Sequence, residues 1–352
     1  MLVFLLLILP VVFVLLTLIF NDKQAKNIAL LGSLATLGVG LYAFYQFNLN
    51  PTCSCFVYHT DWIKALSADF YIKVDGIDII LVLLTVLLVP FIIQSTAGRD
   101  IKNPKAYFSL ILAMQSALLG VFLAKDALLF YIFWELALIP IYLISLIWGG
   151  EGRQKITFKF FIYTLFGSLF MLLAIIFIWI HNPARNFNIY DFYKAGALLS
   201  AKQQVFVFIA FYLAFAIKIP IFPLHTWQPD TYVNAPTQGT MLLSGIMLKM
   251  GAFALIVWLI PIVPLGWKLA SKYVIILSVI SVVYGSLMAL TQHNFKRMLA
   301  YSSLGHVGLI AAGIFAFNLQ GIQGSLYQML SHGINVVALF FVCDIILNRM
   351  KT

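Results

Sequence analysis

Apolar residues run along this chain in long blocks separated by short polar seams. The opening block MLVFLLLILPVVFVLLTLIF gives way to NDKQAK and then resumes, and the same rhythm recurs to the end of the sequence. A block of about 18 or more apolar residues is long enough to cross the hydrocarbon core of a bilayer as a helix. About eleven such segments can be drawn, at 2–20, 27–47, 77–97, 106–123, 127–148, 156–180, 203–222, 238–258, 271–290, 297–317 and 322–346. Helices are predicted because a chain in lipid must satisfy its backbone hydrogen bonds within itself. The longest polar gaps, about residues 48–75 and 181–202, are too short for a soluble domain. The expected fold is therefore an all-α polytopic bundle, with residues 1–352 forming a single membrane domain. The first block lacks a basic leader and a small-residue cleavage site, so it reads as a retained span rather than a signal peptide.

Composition sharpens this picture. The chain is 62% hydrophobic and 10% charged, where soluble domains carry roughly 25% charged residues. The net charge of +10 does not point to nucleic acid, because the basic residues are scattered through the connecting loops. Their sidedness is informative instead. Short loops after odd-numbered spans hold most of them (Lys23, Lys26, Arg99, Lys102, Lys105, Arg153, Lys155 and Lys159 among others). By the positive-inside rule this places the N-terminus outside. Cys53 and Cys55 form a C-x-C without a nearby His or second Cys pair, so no metal or redox centre is expected.

Charged residues inside spans cost roughly 2.5–3.5 kcal/mol each at a helix centre, which makes each one a candidate functional group. Three stand out: Glu135 in YIFWELALIPIYL, Lys218 in FAIKIPIFPLHTWQPD, and Lys249 in LLSGIMLKMGAFAL. Pro220 and Pro223 lack an N–H, so they should break the helix and free the carbonyls of Ala216 and Ile219 for water or a cavity. Lys218 then sits either at a functional helix break or as a side chain snorkelling to the surface. Glu135 is either paired with an intramembrane lysine or kept neutral by its apolar surroundings. Gly245 and Gly251 beside Lys249 leave room for a neighbouring helix or water. Lys249 is thus either a group that gains and loses a proton or one half of a permanent ion pair. His306 (with Ser302 and Ser303) and His332 (with Gln328 and Asn335) form polar stripes at three- and four-residue spacing. Such stripes suit either hydrogen-bonded packing or a proton relay, since imidazole titrates near neutral pH.

These residues carry a resemblance. KIPIFPLHTWQPDTYVNAPTQGTMLLSGIMLKMG, FWELALIPIYLISLIWGG, HNFKRMLAYSSLGHVGL and YQMLSHGINVVALF closely resemble the antiporter-like subunits of proton-translocating NADH:quinone oxidoreductase (respiratory complex I), and the M-type (chain-4 type) most of all. The resemblance implies a fold of fourteen helices with inverted repeats and one discontinuous helix in each, here at Lys218–Pro223. Residues 1–105 would supply the first three helices, 106–258 a complete first repeat, and 271–352 an incomplete second one. It also implies that Glu135 pairs with Lys218, that Lys249 is the central proton carrier, and that His306 and His332 continue the path. The family's ionisable residue on the twelfth helix falls beyond Thr352, so the chain resembles a C-terminally incomplete subunit. Related cores occur in multisubunit Na⁺/H⁺ antiporters and membrane-bound hydrogenases, and a non-conducting scaffold of the membrane arm is a further alternative. No GxGxxG fingerprint, P-loop or cysteine cluster is present. The resemblance therefore implies that NADH, FMN, iron–sulfur clusters and the quinone (ubiquinone or menaquinone) belong to partner subunits. The expected partners are other membrane-arm subunits, especially the L and N subunits, and lipid. The expected location is a bacterial inner membrane.

Overall fold

The computed structural model describes residues 2–350; Met1, Lys351 and Thr352, at the ends of the expected first and last segments, lie outside the described residues. The chain packs as two compact units, Met1–Gly149 and Gly150–Thr352. Residues 106–258, expected as one repeat, are shared between them.

The first unit holds α1 (Leu2–Ile19), α2 (Asp22–Leu49), α3 (Gly76–Gln94), α4 (Pro104–Leu123), α5 (Ala127–Leu136) and α6 (Leu138–Trp148). α4 is its hub: most of its side chains are buried, and it packs on α1, α2 and α3. α5 and α6 together make one membrane-length segment, Ala127–Trp148. Pro140 cannot donate to the carbonyl of Leu136, and the helix is interrupted one turn earlier, at Ala137.

The gap expected as a loop at 48–75 holds a structure that an all-α reading misses. Strands β1 (Val57–Ile63) and β2 (Ala68–Lys73) form an antiparallel hairpin, with Val57 opposite Lys73 and Asp61 opposite Asp69. The alternation of aromatic and β-branched residues in VYHTDWI and ADFYIK is the strand signal that could have found it. The hairpin is tied to the start of α5. Asp126 Oδ1 accepts the Leu128 and Leu129 amides at 3.0 Å, capping the helix. Its Oδ2 accepts the Asp69 amide at 3.0 Å, and the Lys125 amide donates to Tyr71 O at 2.9 Å.

The second unit holds α7 (Arg153–His181), α8 (Ile189–Leu198), α9 (Ala201–Lys218), α10 (Gln228–Asn234), α11 (Thr237–Leu242), α12 (Leu248–Ala254), α13 (Ile260–Ile262), α14 (Pro264–Leu290), α15 (Phe295–Ile314) and α16 (Leu319–Met350). α11, α12 and α13 are joined by π turns at Leu243–Met247 and Leu255–Leu259 into one buried segment, Thr237–Ile262. α14 and α15 meet through small residues. A Cβ on Gly285 would lie 2.7 Å from the Gly305 nitrogen and 2.9 Å from Tyr301 O, so only glycine allows this approach.

Ten helices among the described residues are long and apolar enough to cross a membrane, against about eleven expected. The segment expected at 297–317 corresponds to α15, which has 20 residues but carries Lys296, Arg297, Ser302, Ser303 and His306. These polar groups dilute its apolar character, and three of them, Ser302, Ser303 and His306, line the cleft of the candidate site.

Candidate functional site

α9 starts at a capping box, in which Ser200 and Gln203 bond each other's backbone, and it ends at Lys218. The prolines then stop the helical ladder as expected, and of the two carbonyls expected to be freed, that of Ala216 finds a partner within the chain. Ala216 O accepts the Ile221 amide at 2.9 Å, one residue further along than in an α-helix. Ile217 O accepts the Trp227 indole N–H at 2.9 Å. The chain turns helical again at Gln228. Lys218 is only 2% exposed, so the surface-snorkelling reading fails. Glu135, half-buried near the end of α5, belongs to the first unit, and Lys218 to the second.

Lys249 sits on α12, between the two π turns. In the first of these the Leu248 amide reaches back five residues to Leu243 O. Lys249 Nζ donates to the Ser244 carbonyl at 2.6 Å. The same Nζ lies 2.8 Å from His332 Nδ1 on α16. The other ring nitrogen, His332 Nε2, lies 2.9 Å from Ser303 Oγ on α15. Lys249 is 1% and His332 4% exposed. The partners of Lys249 are thus a carbonyl and an imidazole, and the permanent ion-pair reading gives way. π turns inside α-helices gather at functional sites, and the widened turn here frames the lysine. The room expected beside Gly251 is taken by α9. A Cβ there would fall 2.5 Å from Ile219 Cγ1 and 2.9 Å from Phe215 O.

His306 lies beside His332 with ring centroids 5.7 Å apart and the rings tilted by 54°, and its Nδ1 meets Gln328 Nε2 at 3.2 Å. The two imidazoles face one cleft between α15 and α16, which Ser302, Gln328 and Asn335 also line. The polar stripes predicted on two separate helices therefore converge. Lys249, His332 and Ser303 form a continuous hydrogen-bonded chain, and the cleft extends it to His306.

A second ionic cluster went unrecognised in the sequence. Lys125 Nζ lies 2.7 Å from Asp78 Oδ2 and 3.3 Å from Asp75, and Lys73 Nζ lies 2.8 Å from Asp75. Lys125 and Asp78 are buried at the membrane-span ends of the first unit, 47 residues apart. Only the D-x-x-D at the head of α3 hinted at it, as a capping box. Burial works against charge on Asp75, but Lys125 and Lys73 hold its carboxyl below the usual range. Burial likewise opposes the Lys125 ammonium, and Asp78 and Asp75 outweigh it to hold the lysine above its ordinary value. Asp126 has no such cation, and burial pushes it up to about 6 despite three backbone N–H donors. Among the described residues, no three His, Cys, Asp or Glu side chains are grouped to hold a metal ion.

Residues 124–352 match the family described as NADH:quinone oxidoreductase/Mrp antiporter, transmembrane. The chain belongs to that family. It is 38% identical over 350 residues to the NADH-quinone oxidoreductase subunit M of Rickettsia prowazekii, covering 98% of this chain and 71% of the relative. It is 36% identical over 349 residues to the F420H2 dehydrogenase subunit M of Methanosarcina mazei, covering 96% of this chain and 69% of that one. A chain of the respiratory complex I of Thermus thermophilus with bound NADH superposes with a TM-score of 0.90 at 31% identity, covering 100% of this chain and 72% of that one. Together with the apolar helices, this makes the protein an integral membrane protein with the antiporter-like fold.

Proposed function

We propose that this chain is the M-type proton-translocating membrane subunit of an NADH:quinone oxidoreductase, and that Lys249 is the group through which each proton passes. One observation carries the reading: a buried lysine nitrogen and a buried imidazole share a 2.8 Å contact that continues through Ser303 toward a polar cleft. A lysine in that position can pass a proton to Nδ1 while Nε2 hands its own toward Ser303. Glu135 and Lys218 act upstream, where a change in the charge near Lys218 alters the proton affinity of Lys249 by like-charge repulsion. His306 continues the path beyond His332. Moving one charge against 100 mV costs about 2.3 kcal/mol, so the drive comes from redox chemistry elsewhere in the complex.

NADH, FMN, iron–sulfur clusters and quinone then belong to partner subunits. The relative named for an F420H2 dehydrogenase supports this, because a similar M subunit serves a different donor. The family also spans Mrp antiporters, but the relative matched over 98% of this chain is named for the oxidoreductase. L- and N-type subunits are the proposed neighbours in a bacterial inner membrane, with the N-terminus outside. The short-loop charges support that orientation. So does the Cys53–Cys55 disulfide, which lies in the loop that this topology turns to the oxidising side.

The test compares Lys249→Arg with Lys249→Ala, normalised to assembled complex. Arginine stays protonated at any accessible pH, so it keeps the charge but cannot pass a proton. Both variants should lose proton uptake. Wild-type pumping by Lys249→Arg would instead mean a scaffold.

A further inference from the structure

Thr237 and Asp344 make a second buried contact between the helices that meet at Lys249 and His332. Thr237 Oγ1 donates to Asp344 Oδ1 at 2.7 Å, and the two residues are 4% and 3% exposed. Thr237 opens the segment that leads to Lys249, and Asp344 lies on α16 beyond His332. Lys249 comes twelve residues after Thr237, and Asp344 twelve residues after His332. At 1.5 Å per residue each stretch covers about 18 Å, so the two contacts sit at matched heights on antiparallel helices.

That matching matters because the segment between Thr237 and Lys249 is not a uniform rod. The π turn Leu243–Met247 interrupts it, and such turns accommodate an extra residue in the ladder. A single contact at Lys249 would leave the slide and the rotation of α16 undetermined. A slide of one residue moves a side chain about 1.5 Å along the axis and turns it by about 100°, enough to break a hydrogen bond. Two contacts at equal spacing fix both. We propose that the Thr237–Asp344 hydrogen bond is a register pin, a positioning device that holds His332 Nδ1 at proton-transfer distance from Lys249. Its effect on turnover rests on the relay reading above; its effect on geometry does not.

The variants separate a pin from a proton carrier. Asp344→Asn keeps a carbonyl oxygen that can accept from Thr237, Asp344→Leu removes it, and Thr237→Val removes the donor with little change of shape. In the assembled complex, Thr237→Val and Asp344→Leu should each lower proton uptake by about tenfold to 10²-fold at unchanged quinone binding, because a misplacement of reacting groups by about 1 Å can cost 10²-fold in rate. The pH profile of uptake should be displaced, and the Lys249–His332 separation, seen by electron cryomicroscopy, should exceed hydrogen-bonding distance. Asp344→Asn should stay close to wild type in all three. The effects of Thr237→Val and Asp344→Leu on the Lys249–His332 distance should combine to less than their sum in the double variant, since both remove the Thr237–Asp344 contact. If Asp344→Leu fails to assemble, Thr237→Val decides the question by itself. An unchanged Lys249–His332 distance in Thr237→Val would overturn the pin. So would an inactive Asp344→Asn beside a normal Thr237→Val, which would make Asp344 a proton carrier. Wild-type pumping by Lys249→Arg, with the distance still lengthened in Thr237→Val, would sink the relay and leave the pin standing.

Discussion

Lys249 Nζ and His332 Nδ1 meet at 2.8 Å between α12 and α16, both side chains buried. The far nitrogen of the same ring is engaged by Ser303, so the imidazole is bonded at both ends. A proton arriving at Nδ1 therefore leaves the proton on Nε2 free to move on, which couples the lysine to the cleft without moving the ring.

His332→Gln tests that coupling. Glutamine can hydrogen-bond on both sides but cannot titrate, so packing is largely kept while transfer is lost. Proton uptake per assembled complex should fall about 10²-fold or more, the lower side of what a positioned acid–base group contributes. Proton uptake in reconstituted vesicles measures it, and near-normal pumping would remove His332 from the path.

The Lys125–Asp78 pair should behave as a buried ion pair whose halves depend on each other. Lys125→Met strands the Asp78 carboxylate and should cost about 3–5 kcal/mol of stability. Adding Asp78→Leu should restore most of it, because the pair is replaced by apolar bulk. Thermal midpoints of the purified complex, with the hairpin followed by limited proteolysis, read this out. A double variant no more stable than Lys125→Met would contradict the pairing.

Acidification should tighten the hairpin over a defined window. The Asp126 carboxyl, raised from 3.8 to about 6 by burial, binds its proton in the docked state before it would in the open one. Docking therefore strengthens as pH falls from about 6 to about 4, by roughly 3 kcal/mol in full, and is flat above 6. Asp75 acts in the opposite sense, but only below about 4, since its carboxyl is held below the usual range. Hydrogen-exchange protection at Asp69 and Leu128, corrected for the intrinsic rate, reports the change, and Asp126→Ala should abolish the slope. Protection that weakens between pH 6 and 4 would show the sign to be wrong.

The sequence by itself determined most of the spans, the helix break after Lys218 and the choice of Lys249, His306 and His332 as candidate groups. Each of these is written locally, as an apolar run, a proline that cannot donate, or a charge stranded where lipid would penalise it. What stayed hidden depends on pairs of residues far apart in the chain. Lys125 and Asp78 each look like an ordinary loop-end charge until the first unit folds them together. Asp344 reads as a stray carboxylate until α16 lies antiparallel to the helix that Thr237 opens. The π turn that frames Lys249 has no compositional signature, because it reflects how that helix fits its neighbours and not the preference of any one residue. Local chemistry chose which groups stand inside the membrane. Only packing decided that Lys249 reaches an imidazole and a carbonyl, since hydrogen bonds of this kind act over about 3 Å and the sequence carries no measure of that distance.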